Sequence, residues 1–237
     1  MNFRDTRAVV TGASRGLGAA LLAELSARGA KVVGVARGRE ALDALVRPLR
    51  AEGRAVHGIV ADVADKDSTH RIAGEAQALI GEVDLLIHNA SELGPVPLRP
   101  LLDTDCEDLE RVLQANLVGA FRLTKALVAP MALRGRGTVV HLSSDAAVEA
   151  YPTWGAYSVS KAAQDHLARV LAAELEGTGV RVFAVDPSEM DTRMHADAIP
   201  GADRASLLKP LTVAQRIVRM LETAPGGRVR VKAEEWS

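Results

Sequence analysis

Short apolar runs alternate along the chain with stretches of helical periodicity. The apolar runs are predicted strands, at residues 8–10, 31–36, 56–60, 83–87, 138–142, 180–185 and 228–231. The helical stretches are at residues 17–28, 39–51, 65–80, 103–133, 156–176 and 213–222. Because neighbouring parallel strands need a crossover, this alternation predicts an α/β fold of the Rossmann type. It is a doubly wound parallel sheet of about seven strands with helices on both faces.

Composition and length fit one globular domain that spans residues 1–237. Hydrophobic residues make up 48% and charged residues 25%, which is enough to bury a core, and no linker or internal repeat divides the chain. The net charge of −1 and the aromatic content of 3% argue against a nucleic-acid partner. With one cysteine, no leader-like start and no long apolar run, the chain is expected to be cytoplasmic and not to associate with a membrane.

The first candidate site is the glycine-rich turn between the first predicted strand and the first predicted helix. A pyrophosphate approaches the backbone where no Cβ intervenes, and the free N–H groups of a helix N-terminus attract it. This position predicts a dinucleotide cofactor; the alternative is a flexible turn that merely uses three glycines. The candidate cofactor-binding residues of the turn are Gly12, Ser14, Arg15, Gly16, Leu17 and Gly18.

The end of the second predicted strand bears on which cofactor is used. Enzymes that prefer NAD commonly carry an acidic residue there, whereas this strand ends at Arg37. A guanidinium suits a 2′-phosphate, and Arg15 could reach the same group, so NADP(H) is expected over NAD(H). The alternative is that both arginines are solvated surface charges. Asp62 and Val63, after the third strand, are expected beside the adenine, although Asp62 could equally cap a helix.

Ser144, Tyr157 and Lys161 form the strongest candidate catalytic set. Tyr157 and Lys161 are four positions apart on a predicted helix and share one face, while Ser144 follows the fifth strand at the carboxyl edge of the sheet. An adjacent ammonium, together with an oxidised nicotinamide, is expected to lower the pKa of the tyrosine toward neutrality. Ser144 would orient a substrate oxygen. The alternative is an amphipathic helix on which Tyr and Lys merely happen to lie one turn apart.

The motifs together resemble the short-chain dehydrogenase/reductase family, in its common single-domain branch. The turn from Thr11 to Gly18 matches TGxxxGxG, and the segment from Tyr157 to Lys161 matches YxxSK. The resemblance implies that Tyr157 is the acid/base and that Lys161 also holds the nicotinamide ribose. It implies further that Asn116 holds a water in a proton relay with Lys161 and Tyr157. Four more cofactor-binding residues are implied in the same way: Asn89, Ala90, Pro187 and Thr192.

The implied activity is hydride transfer between nicotinamide C4 and a small-molecule carbonyl or alcohol, with the enzyme as a homodimer or homotetramer. The alternative is a regulatory or scaffold protein that binds the cofactor without turnover. Ser91 and Ser188 stand where the family usually has glycine, which bears on substrate fit. Residues 188–210 are expected to form a substrate loop or lid. The spacing around His195 fits no metal signature, so no metal site is expected.

Overall fold

Buried apolar strands form the centre of the molecule. The structure is a computed structural model, and it describes residues 1–224 and 227–237. Within those residues, seven strands pair in parallel in the order β3-β2-β1-β4-β5-β6-β7. The predicted doubly wound parallel sheet is confirmed. The strands are β1 (Arg7–Thr11), β2 (Lys31–Ala36), β3 (Val56–Val60), β4 (Leu85–His88), β5 (Gly137–Leu142), β6 (Val180–Asp186) and β7 (Arg230–Lys232).

Helices cover both faces of the sheet, because alternate residues of each strand point to opposite faces. On one face α1, α2 and α8 pack on residues such as Val10 and Val32, and on the other α3, α5 and α6 pack on residues such as Val9 and Val33. The helices are α1 (Gly16–Ala27), α2 (Arg39–Ala51), α3 (Ser68–Ile80), α4 (Cys106–Leu113), α5 (Gly119–Leu133), α6 (Gly155–Glu174), α7 (Arg193–Ala198) and α8 (Pro210–Thr223).

The strand order reverses between β1 and β4, and this reversal positions the site. From β1 the chain builds the sheet outward through β2 and β3, then returns to place β4 on the other side of β1. The connections that leave β1 and β4 therefore diverge to opposite sides and open a crevice at the carboxyl edge of the sheet. The glycine-rich turn lies at the head of this crevice.

The single helix predicted over 103–133 is wrong in detail. A 3₁₀ turn (Leu101–Asp103) precedes α4, and a π-helical turn (Gln114–Val118) separates α4 from α5. Apolar periodicity does not reveal a five-residue π turn, because a single wide turn is too short to produce a periodicity of its own between two helices. The turn coincides with close packing, since a Cβ on Gly119 would collide with the carbonyl of Val63. The remaining boundaries shift by a few residues, and α7 lies inside the segment predicted as a loop.

Arg230 on β7 ties the edge of the sheet to the site. Its guanidinium lies 2.9 Å from a carboxylate oxygen of Asp165 on α6 and 3.2 Å from one of Asp186 at the end of β6. It also donates to the backbone carbonyl of Ser144 at 3.0 Å. Both carboxylates are buried, so the arginine compensates charges that would otherwise be costly to bury.

Across the described ranges, no helix is both long enough and apolar enough to cross a membrane.

Candidate active site

The three candidate catalytic side chains converge at the carboxyl edge of the sheet. Ser144 follows β5, where its hydroxyl caps a 3₁₀ turn (Asp145–Ala147), and Tyr157 and Lys161 lie one turn apart on α6. Ser144 and Tyr157 both line a cavity of about 270 Å³. Much of its remaining wall is apolar and comes from the loop after β4, the 3₁₀ turn, the residue before α6, and α7 with the residue after it: Leu93, Ala146, Trp154, Met194, Ala198 and Ile199.

Burial controls the titration of Tyr157, which is 9% exposed. Burial raises the pKa of its phenol to about 12, and the nearby hydroxyls of Ser144 and Ser91 only partly oppose this. The phenol is therefore protonated at neutral pH in the protein alone. The sequence-based expectation that Lys161 and an oxidised nicotinamide together lower the pKa of Tyr157 toward neutrality concerns the complex with the cofactor, and it stays a prediction.

Lys161 is 2% exposed and lies behind the tyrosine. Its Nζ is 5.6 Å from the centre of the Tyr157 ring and donates to the carbonyl of Leu142 at 2.6 Å. A second hydrogen bond, of 3.3 Å, goes to Oε1 of Gln164. Burial lowers the pKa of Lys161 to about 8, although Asp165 favours the charged form. An ammonium has three donors, so one remains for a ligand or for the tyrosine.

Asn116 lies in the π turn and is fully buried, but its side chain does not reach Lys161. Its Oδ1 accepts from the backbone N–H of Glu92 at 2.7 Å, and its Nδ2 donates to Ser160 Oγ at 2.8 Å. Only the backbone carbonyl of Asn116 is directed toward the lysine, through Gln164, whose Nε2 donates to it at 3.0 Å. The side chain of Asn116 therefore fixes the loop after β4 against α6.

The glycine-rich turn is shaped to receive an anion. Helix α1 begins at Gly16, and no side chain caps its N-terminus, so its first N–H groups are free. A Cβ on Gly18 would collide with the carbonyl of Gly12, which makes that glycine necessary for closing the turn. The amide of Asn89 locks the turn from β4 by donating to the carbonyls of Thr11 and Gly12, at 2.9 and 3.1 Å. These features fit a dinucleotide pyrophosphate.

The other candidate residues of the turn, and Ala90 after β4, either line the mouth of the crevice or support the turn. Arg15 is exposed and Ser14 half-buried at the mouth, whereas the side chain of Leu17 belongs to the core and leaves only its backbone for a ligand. The N–H of Ala90 donates to Thr11 Oγ1 at 3.0 Å and supports the turn.

Arg37 and Asp62 face each other across the ends of β2 and β3. Their closest side-chain atoms are 3.8 Å apart, and the Arg37 side chain is 66% exposed, so a ligand can still reach it. Asp62 does not cap a helix, because α3 begins only at Ser68. Its carboxylate instead accepts from the N–H of Ala64 at 2.9 Å. Val63 lies next in the same turn and packs by its backbone against Gly119.

The segment after β6 closes the other side of the crevice. Pro187 lines the cavity, and Ser188 keeps the left-handed backbone expected of a glycine there, with φ of 63°. Thr192 caps α7 by accepting from the N–H of His195 at 3.2 Å. The methyl group of Thr192 lies close to Gly16, so the structure brings the two ends of the predicted cofactor cleft together.

Comparison with known proteins decides the family. The family model for short chain dehydrogenases matches residues 6–202. The chain belongs to the short-chain dehydrogenase/reductase family. A short chain dehydrogenase of Pseudocercospora fijiensis is 35% identical over 222 residues, which cover 92% of this chain and 71% of that protein. The 3-oxoacyl-[acyl-carrier-protein] reductase FabG of Escherichia coli K12 is 32% identical over 208 residues, which cover 88% of this chain and 82% of that one.

Solved structures agree in fold. A short chain dehydrogenase of Escherichia coli CFT073 in complex with NADPH superposes with a TM-score of 0.90 at 26% identity, covering 98% of this chain and 97% of that one. The actinorhodin polyketide ketoreductase, also with NADPH, superposes with a TM-score of 0.88 at 25% identity, covering 98% of this chain and 97% of that one. This short-chain dehydrogenase/reductase is therefore an oxidoreductase of a family that uses nicotinamide cofactors.

Sequence reasoning missed three polar groups of this enzyme's site. Gln164 bridges Lys161 and Asn116, and Asp145 accepts from the hydroxyls of Ser144 and Tyr151 at 2.8 and 2.9 Å. His141 stacks on a second buried histidine beneath the site. Gln164 lies one helical turn beyond Lys161, on the same face, and that spacing was the one available signal.

Proposed function

We propose that this enzyme uses NADPH to reduce the carbonyl group of a small, largely apolar molecule, with Tyr157 as the proton donor. The observation that carries the proposal is the buried phenol of Tyr157, which opens with Ser144 onto a mainly apolar cavity. A general acid must hold its proton until the transition state, and burial ensures this at neutral pH.

Each residue of the set has one role in reduction. The cofactor, when bound, supplies a hydride from nicotinamide C4 to the carbonyl carbon. The one hydroxyl proton of Ser144, which is donated to Asp145 in the structure, turns to the substrate oxygen, and Tyr157 passes its proton to that oxygen as negative charge develops. Lys161, with a pKa of about 8, is mostly charged at neutral pH and stabilises the phenolate that remains. Oxidation of an alcohol runs through the same groups in reverse.

The preference for NADPH rests on two arginines. Arg15 and Arg37 are both exposed at the mouth of the cleft, and Arg37 occupies the end of β2, where a carboxylate would favour NAD. The structural relatives from Escherichia coli CFT073 and from the actinorhodin system were solved with NADPH. A guanidinium and a 2′-phosphate form charge-assisted hydrogen bonds that NADH cannot make.

The polar groups of the cavity indicate the charge of the substrate. Burial opposes the ionisation of Asp145, but hydrogen bonds from Ser144 and Tyr151 outweigh it and hold its pKa below the ordinary value. Glu189 adds a second carboxylate to the same lining. We therefore expect neutral or cationic carbonyl compounds to be accepted and carboxylate-bearing analogues to be rejected, because like charges repel in a partly desolvated cavity.

The experiment is an initial-rate assay of NADPH oxidation against aldehydes, ketones, quinones and diketones. The panel includes matched trios that carry a carboxylate, a neutral amide or an ammonium group at the same position. Turnover that favours the neutral and ammonium members supports the proposal. Tight NADPH binding without turnover of any member would contradict it and favour a cofactor-binding protein without catalysis.

Two further proposals concern mobility and assembly. We propose that residues 188–210, which contain α7 and line one wall of the cavity, close over the substrate. Hydrogen exchange is then expected to slow in this segment when NADP⁺ binds, and equal exchange would contradict closure.

We also propose a homodimer or homotetramer, because Phe121 on α5 and Val159 and Val170 on α6 are exposed apolar residues. Light scattering on the eluting protein measures this directly.

A further inference from the structure

The amide of Gln164 is the only side chain of the described residues that hydrogen-bonds Lys161. Gln164 is fully buried and lies three positions after Lys161 on α6, which places the two side chains on one face of the helix. Lys161 Nζ and Gln164 Oε1 are 3.3 Å apart, and Gln164 Nε2 is 3.0 Å from the backbone carbonyl of Asn116. The amide thus joins the lysine directly to the π turn.

Chemistry fixes the orientation of this amide. An ammonium only donates and a backbone carbonyl only accepts, so the bridging group must present its oxygen to Lys161 and its nitrogen to Asn116. Apolar side chains of the same size would satisfy neither partner. Burial without partners costs free energy, so this amide is held in one position by both ends.

The carbonyl at the far end comes from an unusual turn. The N–H of Gly119 bonds to the carbonyl of Gln114, five residues back, and this wide turn contains Asn116. The side chain of Asn116 is fully engaged with Glu92 and Ser160. The backbone of Asn116 is therefore fixed on one side by its own side chain and on the other by Gln164.

We propose that Gln164 is a positioning residue for the reaction: its amide holds the Lys161 ammonium behind Tyr157 and links it to the Asn116 carbonyl, where the family resemblance places a water. The inference rests on the proposed function, since it concerns the acid/base group of that reaction. In this chain an amide side chain makes the connection directly. An amide accepts from the lysine as a water does, but its position is set by the helix.

Removing the amide is expected to change the pKa values of both Lys161 and Tyr157. Without an acceptor at Oε1, the ammonium loses a hydrogen bond, so the pKa of Lys161 falls and its charge supports the Tyr157 phenolate less. The pKa of Tyr157 then rises. The other titratable groups that act on this pair are carried by α6, β5 and the loops after β5 and at the end of β6, and the substitution leaves them in place: Asp165, His141, Asp145 and Asp186.

The test compares Gln164→Met with Gln164→Ala. Methionine fills the space and removes both hydrogen bonds, so kcat for carbonyl reduction is expected to fall about tenfold. Alanine leaves room for a water, which needs roughly 30 Å³, between Lys161 and Asn116, so Gln164→Ala is expected to recover most of the lost rate. A purely structural role predicts the opposite order, because the larger cavity is the more destabilising one. Gln164→Leu replaces Gln164→Met if the methionine variant does not fold.

A second readout does not depend on turnover. The chain has two tyrosines, so in a Tyr151→Phe background the ultraviolet absorbance of phenolate reports Tyr157 alone. With NADP⁺ bound, Gln164→Met is expected to raise the pKa of Tyr157 by about one unit, and Gln164→Ala by less. Thr138→Val, which removes a buried hydroxyl at the far end of β5, is the matched control and should leave the titration unchanged.

The outcomes separate this inference from the proposed function. An unchanged Tyr157 titration in Gln164→Met, or a slower Gln164→Ala than Gln164→Met, would overturn the role of Gln164 even in an active reductase. If the protein reduces no carbonyl compound, the proposed function fails, while the phenolate titration still decides whether Gln164 controls the lysine and tyrosine pair.

Discussion

Tyr157 and Lys161 show how burial shapes a proton-transfer site at the scale of single residues. Burial moves both toward their neutral forms, raising the pKa of Tyr157 to about 12 and lowering that of Lys161 to about 8. The ammonium donates hydrogen bonds to the carbonyl of Leu142 and the amide oxygen of Gln164, and the nearby Asp165 favours its charged form. A neutral acid beside a charged lysine is the arrangement that reduction needs at its start, since the phenolate forms only as the proton leaves.

Arg37 is expected to determine cofactor choice. Replacing it in Arg37→Gln should weaken NADPH binding about tenfold or more, the value of a charge-assisted hydrogen bond, and leave NADH binding nearly unchanged. Dissociation constants from fluorescence titration of both cofactors measure this ratio. The control is Arg47→Gln, an exposed arginine on α2 paired with Asp43. Equal losses for NADPH and NADH would show that Arg37 does not contact the 2′-phosphate.

Motif spacing at the residue scale located Ser144, Tyr157 and Lys161, because a helix and a strand end fix their directions. It did not locate Gln164 or Asp145. The spacing of Gln164 from Lys161 shows that they share a helix face, but the contact of Gln164 with the π turn depends on tertiary packing, and that of Asp145 with Tyr151 depends on the path of the loop between them.

At the scale of elements, the turn between β1 and α1 is held by contacts across the sheet. The glycine positions serve this packing as well as ligand access, since the space that a Cβ on Gly18 needs is filled by the Gly12 carbonyl and the Asn89 amide. The helix N-terminus stays open as a result. The strands and helices were predictable because short, continuous apolar runs are typical of buried strands, whereas longer stretches with apolar residues on one face are typical of helices. The π turn was not, because its signal is a single extra residue.

Two helical glycines should respond in opposite directions to the same substitution. Gly18→Ala introduces a collision with backbone and is expected to lower the free energy of unfolding by about 2 kcal/mol and to weaken NADPH binding. Gly74→Ala on α3 meets no atom within 4 Å and is expected to raise it by about 1 kcal/mol, because alanine favours helix. Urea unfolding of both variants measures the difference. Equal effects would contradict the packing account of the turn.

At the scale of the whole molecule, two buried histidines couple stability to pH. His88 on β4 and His141 on β5 stack with ring centres 4.7 Å apart beneath the active site. Burial, and then the nearby Lys161, lowers the pKa of His141 to about 3, and burial together with His141 lowers the pKa of His88 well below its usual value. Neither ring is charged at neutral pH, so neither repels the ammonium of Lys161.

Stability should therefore fall as the solution is acidified below the usual histidine pKa. The unfolded chain binds protons below about pH 6.5 while the folded chain does not until far lower pH, so each histidine removes about 1.4 kcal/mol per pH unit in that window. Urea unfolding at about pH 7.5 and about pH 5 measures this loss, which His88→Asn should reduce by roughly half. His166→Asn, on the exposed side of α6, is the control. An unchanged pH dependence in His88→Asn would contradict the burial account.

The central claim, that Tyr157 is the proton donor of a reductase, is tested most directly by Tyr157→Phe. The substitution removes one hydroxyl and keeps the ring, so NADPH should bind with a dissociation constant close to that of the wild type. Carbonyl reduction should fall by about a thousandfold, the contribution of a well-placed general acid. A variant that binds NADPH and retains more than about a tenth of the wild-type rate would contradict the assignment, because another group would then be supplying the proton.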